Sequence, residues 1–141
     1  MKFKIVTPEK ILLETEADSV TLPTQMGEIT VLPHHIPLVA NLAAGEASYK
    51  HAGKQEFFAI SGGVLEVKKD SELVILADTA EAGHEIDLKE AEAARDAAKQ
   101  LMTQASEPKA VAEAAAAFGR HVARIKVAHK HRTKTHQHIQ S

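Results

Sequence analysis

Nine His, 19 acidic and 17 basic side chains stand in a chain of 141 residues that has no Cys. Thiolate ligands, thiol nucleophiles and disulfides are therefore excluded, and the composition fits a reducing compartment. His129, His131, His136 and His138 lie near the end of the sequence. Pairs at two-residue spacing hold a metal only where the chain is extended and organised, and no acidic or Cys ligand accompanies them, so weak adventitious affinity is expected and no metal site is assigned. Ser61-Gly62-Gly63 lacks the Lys and following Ser/Thr of a phosphate loop. The remaining His and carboxylates are scattered and suggest no ordered nucleophile or base, so no catalytic residue is assigned. What is left is charge at helical spacing. Arg120 and Arg124 are four apart, on one side of a helix, with Lys126 close by. Asp87 and Glu90 are three apart, as in a capping box.

These residues hang on two kinds of element. Phe3, Ile5, Ile11, Leu13, Val20 and Leu22 fall at two-residue spacing within three short runs, which places one side of each run in a core. Thr7-Pro8-Glu9-Lys10 and Glu16-Ala17-Asp18 supply the breaks. The body ends in Phe57 to Glu81, where Phe57 to Ile60 and Val64 to Val67 flank Ser61-Gly62-Gly63 as a tight turn or bulge, and Leu73 to Leu76 follows a polar turn. About ten short strands fit this body, and their spacing predicts an antiparallel sandwich or barrel rather than a βαβ fold. Between Met26 and Leu38, Pro33 and Pro37 bracket His34 and His35 in a shaped surface edge that cannot donate a full ladder.

From Asp87 the period changes. Leu88, Ala91, Ala94, Ala98, Leu101 and Ala105 are three or four apart, as are Val111, Ala115, Phe118, Val122 and Ile125. Two helices are expected, the first capped by Asp87 with Glu90 closing the box, and the second starting at Pro108. Their small faces predict a close antiparallel hairpin, and their low burial per residue predicts marginal, mobile helices. The fold class is thus α+β: a β-sandwich body over 1–84, a helical hairpin over 85–130, and a basic, His-rich disordered tail over 131–141.

Charge divides along the same line. Residues 1–84 hold 7 Lys/Arg against 12 Asp/Glu, whereas 85–141 hold 10 against 7, with none acidic after Glu113. A basic end suggests an acidic partner. Nucleic acid is a poor fit, because one Tyr, four Phe and no Trp leave little to stack on bases and no recognition module is present. No apolar run approaches the length of a membrane span, and Met1-Lys2-Phe3-Lys4 leads into a strand rather than a signal peptide.

Several segments in order carry a resemblance. Thr7-Pro8-Glu9, Gly27-Glu28, Pro33 to Leu38, Ser61 to Val67 and Leu76 to Glu81, followed by an alanine-rich helical pair, resemble the epsilon subunit of F-type ATP synthases over Phe3 to about Val127. The resemblance implies a non-catalytic central-stalk subunit, peripheral on the cytoplasmic face of a bacterial plasma membrane or, as the alternative, in a plastid. Its body would bind the gamma subunit and the c-ring and help couple proton flow to ATP synthesis. Its hairpin would reach the alpha/beta catalytic head and inhibit ATP hydrolysis; the alternative is a purely structural rotor subunit. Membrane association would come only through the complex.

Residue by residue, Glu28 and His35 match family positions near the polar loops of the c-ring, although many members have Gly where Thr30 and His34 stand here. Arg120, Arg124 and Lys126 match the basic positions that face an acidic segment of the catalytic subunits. Some members bind ATP between body and hairpin. Glu81, Asp87, Ala91, Arg120 and Arg124 match that pattern, but Glu90 replaces its motif arginine, which removes a phosphate fork and adds repulsion. Weak ATP binding or none is expected, with no cofactor.

Overall fold

The computed structural model describes the backbone of residues 1–140 and side chains through Thr133. Eight strands precede the helices: β1 (Lys2–Val6), β2 (Ile11–Glu16), β3 (Ser19–Thr24), β4 (Gly27–Val31), β5 (Leu38–Asn41), β6 (Gly45–His51), β7 (Lys54–Lys68) and β8 (Glu72–Ala82). A single 3-10 turn, Gly83–Glu85, then leads to α1 (Leu88–Gln104) and α2 (Pro108–Gln140). Strands pair in the order β2-β1-β8-β7-β6-β3-β4, with β5 also on β7. All these pairings are antiparallel except β1 with β8, which is parallel.

Strand alternation puts Phe3 and Ile5 of β1, Val20 and Leu22 of β3, and Leu73 and Ile75 of β8 fully inside. Each such side chain contributes about 1.5–3 kcal/mol of transfer free energy, so these strands fix the body. Ile11 departs from the expected pattern. The register slips between Ile5 and Val6 where β1 meets β2, and Ile11 turns outward with 53% of its surface exposed.

Eight strands form rather than about ten because the chain does not turn at Ser61-Gly62-Gly63. β7 is one strand of 15 residues. Its first half pairs with β6, the last part with β5, and residues 58–68 with β8. Gly62 and Gly63, at φ 65° and 113°, switch which residues face inward: Phe58 and Ile60 are buried before them, Leu65 and Val67 after. One strand thereby lines both parts of the core. At Gly63 a side chain would collide with the Leu76 carbonyl oxygen and the Ala77 Cα, so the glycine supplies both a left-handed backbone and close strand approach.

The same backbone demand is met differently at His34. Its φ is 68°, a conformation His adopts more readily than most non-glycine residues. Ser71 holds it there: the His34 amide donates to Ser71 Oγ at 2.9 Å, and that hydroxyl pairs with His34 Nδ1 at 3.2 Å.

α1 begins and ends close to expectation and α2 begins there, but α2 runs on past 130 and the buried residues differ. Ala91 and Ala98 of α1 are buried, while Leu101 is 57% exposed. On α2, Ala114 is buried, as are Ala123, Ile125, Val127 and Ala128, the last four in the stretch where Arg124, Val127 and Lys130 meet the body. α2 is helical beyond position 130, to Gln140. The expected disordered tail over 131–141 has instead a helical backbone as far as Gln140, and residue 141 and the side chains from 134 onward lie outside the described residues. Among the described residues no helix is long and apolar enough to cross a membrane.

Replacing Gly63 with Ala should destabilise the body by roughly 3 kcal/mol, since it adds both positive-φ strain and a steric conflict. Urea unfolding followed by circular dichroism measures this; a loss under about 1 kcal/mol would contradict the role given to Gly63.

Candidate functional site at the body–hairpin junction

The junction is made of small side chains. Val127 is fully buried, and Ala123 and Ala128 nearly so. A Cβ on Gly83 would meet His131 Cβ at 2.9 Å and Val127 Cγ1 at 3.4 Å, so glycine permits the close seat of α2 on the 3-10 turn. A buried methyl group is worth only about 0.8 kcal/mol. Packing of this kind brings the elements together without holding them strongly, which gives the charges at the junction more weight.

Arg124 is the centre of those charges. Its Nε donates to Glu81 Oε1 at 2.7 Å and its Nη2 to Glu81 Oε2 at 3.3 Å, a fork onto the end of β8. The same Nη2 donates to Glu90 Oε2 on α1 at 2.6 Å. Nη1 lies 3.1 Å from His121 Nδ1, one turn back along α2, where the neutral ring accepts. All three guanidinium nitrogens are therefore engaged, and the side chain is 11% exposed. Burial opposes the charge on Arg124, but hydrogen bonds to Glu90 and Glu81 outweigh it and raise the guanidinium pKa above its usual value. The Arg124 bond, together with its charge, holds the Glu90 carboxyl below the ordinary carboxylate range. Burial, then the nearby charges of Arg124 and Arg120, lower the pKa of His121.

Asp87 caps α1 as expected, its Oδ1 accepting from the Glu90 amide at 3.1 Å. The other half of the capping box is replaced, because the Glu90 carboxylate turns to Arg124. Below this cluster Lys130 forms a salt bridge with Glu46 of β6 and sits 5.4 Å from the centre of the Phe57 ring. Lys130, Glu46 and His121 escaped the sequence reading, since no local pattern marks residues joined across 84 positions or a His inside an alanine-rich helix.

The structure brings together Glu81, Asp87 and Arg124 from the expected nucleotide set, and Ala91 is buried in the adjacent turn of α1. Two carboxylates line the junction, and Arg124 already spends four of its five N–H donors on Glu81, Glu90 and His121, which leaves one for a phosphate. Arg120 is half-buried and Lys126 exposed, and neither forms a hydrogen bond or salt bridge among the described residues. Glu28 and His35 lie elsewhere. Glu28 is exposed on β4; His35 is half-buried in the following loop, its Nδ1 2.7 Å from the Ile36 carbonyl oxygen. No group of three or more His and acidic side chains is placed to hold a metal among the described residues.

A β body with a docked helical hairpin and an ion-pair cluster at their junction defines a two-part protein, a β-sandwich domain followed by a long-helix domain. The sequence matches the ATP synthase Delta/Epsilon chain beta-sandwich domain over residues 1–83 and the long alpha-helix domain of the same family over 84–129. An ATP synthase epsilon chain of Syntrophobacter fumaroxidans is 43% identical over 92% of this chain and 96% of its own length. One of Desulfitobacterium hafniense is 44% identical over 89% and 93%. Among solved structures, a chain of the Euglena gracilis mitochondrial ATP synthase OSCP/F1/c-ring assembly aligns with TM-score 0.73 at 24% identity, over 83% of this chain and 74% of that one. A chain of the Tetrahymena thermophila central stalk/c-ring structure aligns with TM-score 0.60 at 15% identity, over 90% and 95%. The chain belongs to the ATP synthase delta/epsilon chain family, as an epsilon-type, non-catalytic subunit.

Replacing Arg124 with Lys keeps a cation but removes the fork that spans two carboxylates. Amide exchange across Ala123 to Ala128 should accelerate by about tenfold or more, with β-body protection unchanged. Unaltered exchange in α2 would show that packing alone seats the helix.

Proposed function

We propose that the chain is the central-stalk epsilon subunit of an ATP synthase rotor, with its β body bound to the gamma subunit and c-ring and its hairpin acting as a movable brake on ATP hydrolysis. The observation that carries the stalk reading is an exposed apolar row on the body. Ile11, Val6, Leu76 and Val64 are successive register partners across β2, β1, β8 and β7. Ile11 is 53% exposed and Leu76 54%, with Val6 and Val64 half-buried between and beside them, and Val39, 66% exposed, stands on the next strand opposite Glu66. Scattered exposed apolar residues are ordinary, but a contiguous row across a sheet points to a partner. Gamma is the partner this reading assigns to it, and Glu28 with the His34-His35 loop faces the c-ring.

The hairpin's part rests on its charges. Arg120 and Lys126 stay outside the Arg124 cluster and offer cations to an acidic segment of the catalytic subunits. α2, at 33 residues, extends about 50 Å at 1.5 Å per residue, enough to reach along a stalk once undocked. ATP binding has no part in this reading. Assembled in this way, the chain sits at the cytoplasmic face of a bacterial plasma membrane and touches the membrane only through the complex.

Two substitutions separate the parts. Leu76→Asp should abolish binding to a cognate catalytic head that contains gamma but lacks this subunit. Arg120→Ala with Lys126→Ala should leave binding intact and raise ATP turnover several-fold relative to the head carrying the unaltered chain. Intact binding by the Leu76 variant would refute the docking face, and unchanged turnover in the double variant would leave a purely structural rotor subunit.

A further inference from the structure

The Arg124 cluster joins three segments: the end of the body at Glu81, the start of α1 at Glu90, and α2 itself. Opening the hairpin must break it, because Glu81 cannot follow the helices. His121 is the member whose proton matters. Its Nδ1 accepts from Arg124 only while the ring nitrogen is unprotonated. Protonation removes that acceptor and sets a second cation against the guanidinium. The charged groups facing the ring are Arg120 and Arg124 on α2, Glu90 on α1 and Glu81 on β8; Asp87 adds its charge beside Glu90. The two carboxylates favour the protonated ring, but they are already committed to Arg124.

We propose that Glu81, Arg124, Glu90 and His121 form a pH-gated latch that holds the hairpin against the β body without a nucleotide and opens when His121 takes up a proton.

The direction follows from linkage. Docking depresses the affinity of His121 for a proton, with burial the first cause and the neighbouring arginines the second. A freed His121 titrates near its ordinary value of about 6.5. The docked state therefore has the full contribution of His121 above that pH and loses it as pH falls through the lowered value of the docked ring. Glu90 acts in the same sense but only in more acidic solution, since Arg124 holds its carboxyl below the usual range. Of these two groups, His121 is the one that responds nearer neutral pH. Arg124 is bonded in the docked state and free in the open one, so acidification also releases a cation that the brake can use. That last consequence rests on the function proposed above; the docking equilibrium does not.

The absence of native Cys allows clean labelling of the full chain at Lys10→Cys on the body and Lys109→Cys at the start of α2, both exposed and outside the cluster. Energy transfer between dyes at these sites reports docking. From pH 8 to 5.5 the ratio of open to docked chain should rise, with a limit of about tenfold per pH unit for one proton. In His121→Gln, which keeps a neutral acceptor, the ratio should stay flat across that range. Glu90→Gln should raise the open fraction at every pH while preserving the slope. A flat response in the unaltered chain, or a slope retained in His121→Gln, would overturn the latch. Loss of the effect on hydrolysis with the docking response intact would refute only the brake.

Discussion

The docked arrangement depends on one guanidinium held between carboxylates that come from different parts of the chain. Arg124 reaches back to Glu81 at the last strand and across to Glu90 at the first turn of α1, so a single side chain fixes both the closure of the hairpin and its seat on the body. The Lys130–Glu46 salt bridge and buried Ile125 and Val127 also seat α2 on the body, but they do not reach α1's Glu90 as Arg124 does. Alanine faces let helices approach closely but bury little area, and each methyl contributes under about 1 kcal/mol. A forked guanidinium adds direction that small apolar residues lack.

Much of this architecture was legible in the residues. The two-residue alternation of Phe3, Ile5, Val20 and Leu22 marks strands that are buried on one side, and the shift to a three-to-four spacing after Asp87 marks the helices. Asp87 signals the start of α1 and caps it. The glycine pair at 62 and 63 left a tight turn or a bulge open, and the strand count followed the turn, whereas here positive φ reverses the inward-facing residues within a continuous strand. Local pattern does not distinguish these outcomes, since the deciding contact is with Leu76 and Ala77 on β8. Glu90 misled similarly. Beside Asp87 it looks like a helix cap, and beside a phosphate it would repel, yet its partner lies 34 residues away on α2. Long-range pairs of this kind follow from topology and leave no mark in the neighbouring sequence.

The same residues connect fold to function through competition. Arg124 cannot both hold the docked hairpin and engage an acidic surface on another subunit. Arg120 and Lys126 remain accessible, so the docked state presents part of a basic face while withholding its central charge. The apolar row on β2, β1, β8 and β7 lies on residues that the Arg124 and Lys130 contacts do not use. Under the proposed assignment, stalk attachment and hairpin movement are separable, which a subunit needs if it is to stay bound while its helices change state.

A double-mutant cycle on Glu81 and Arg124 tests the latch most directly. Glu81→Gln, Arg124→Gln and the pair together would be compared by amide exchange across α2 in the full chain at pH 8. If Arg124 acts on docking through Glu81, the paired change should cost less than the two single changes added, by about 1 kcal/mol. Strictly additive effects would mean that the two residues do not act on docking through each other, and that the hairpin is seated by packing.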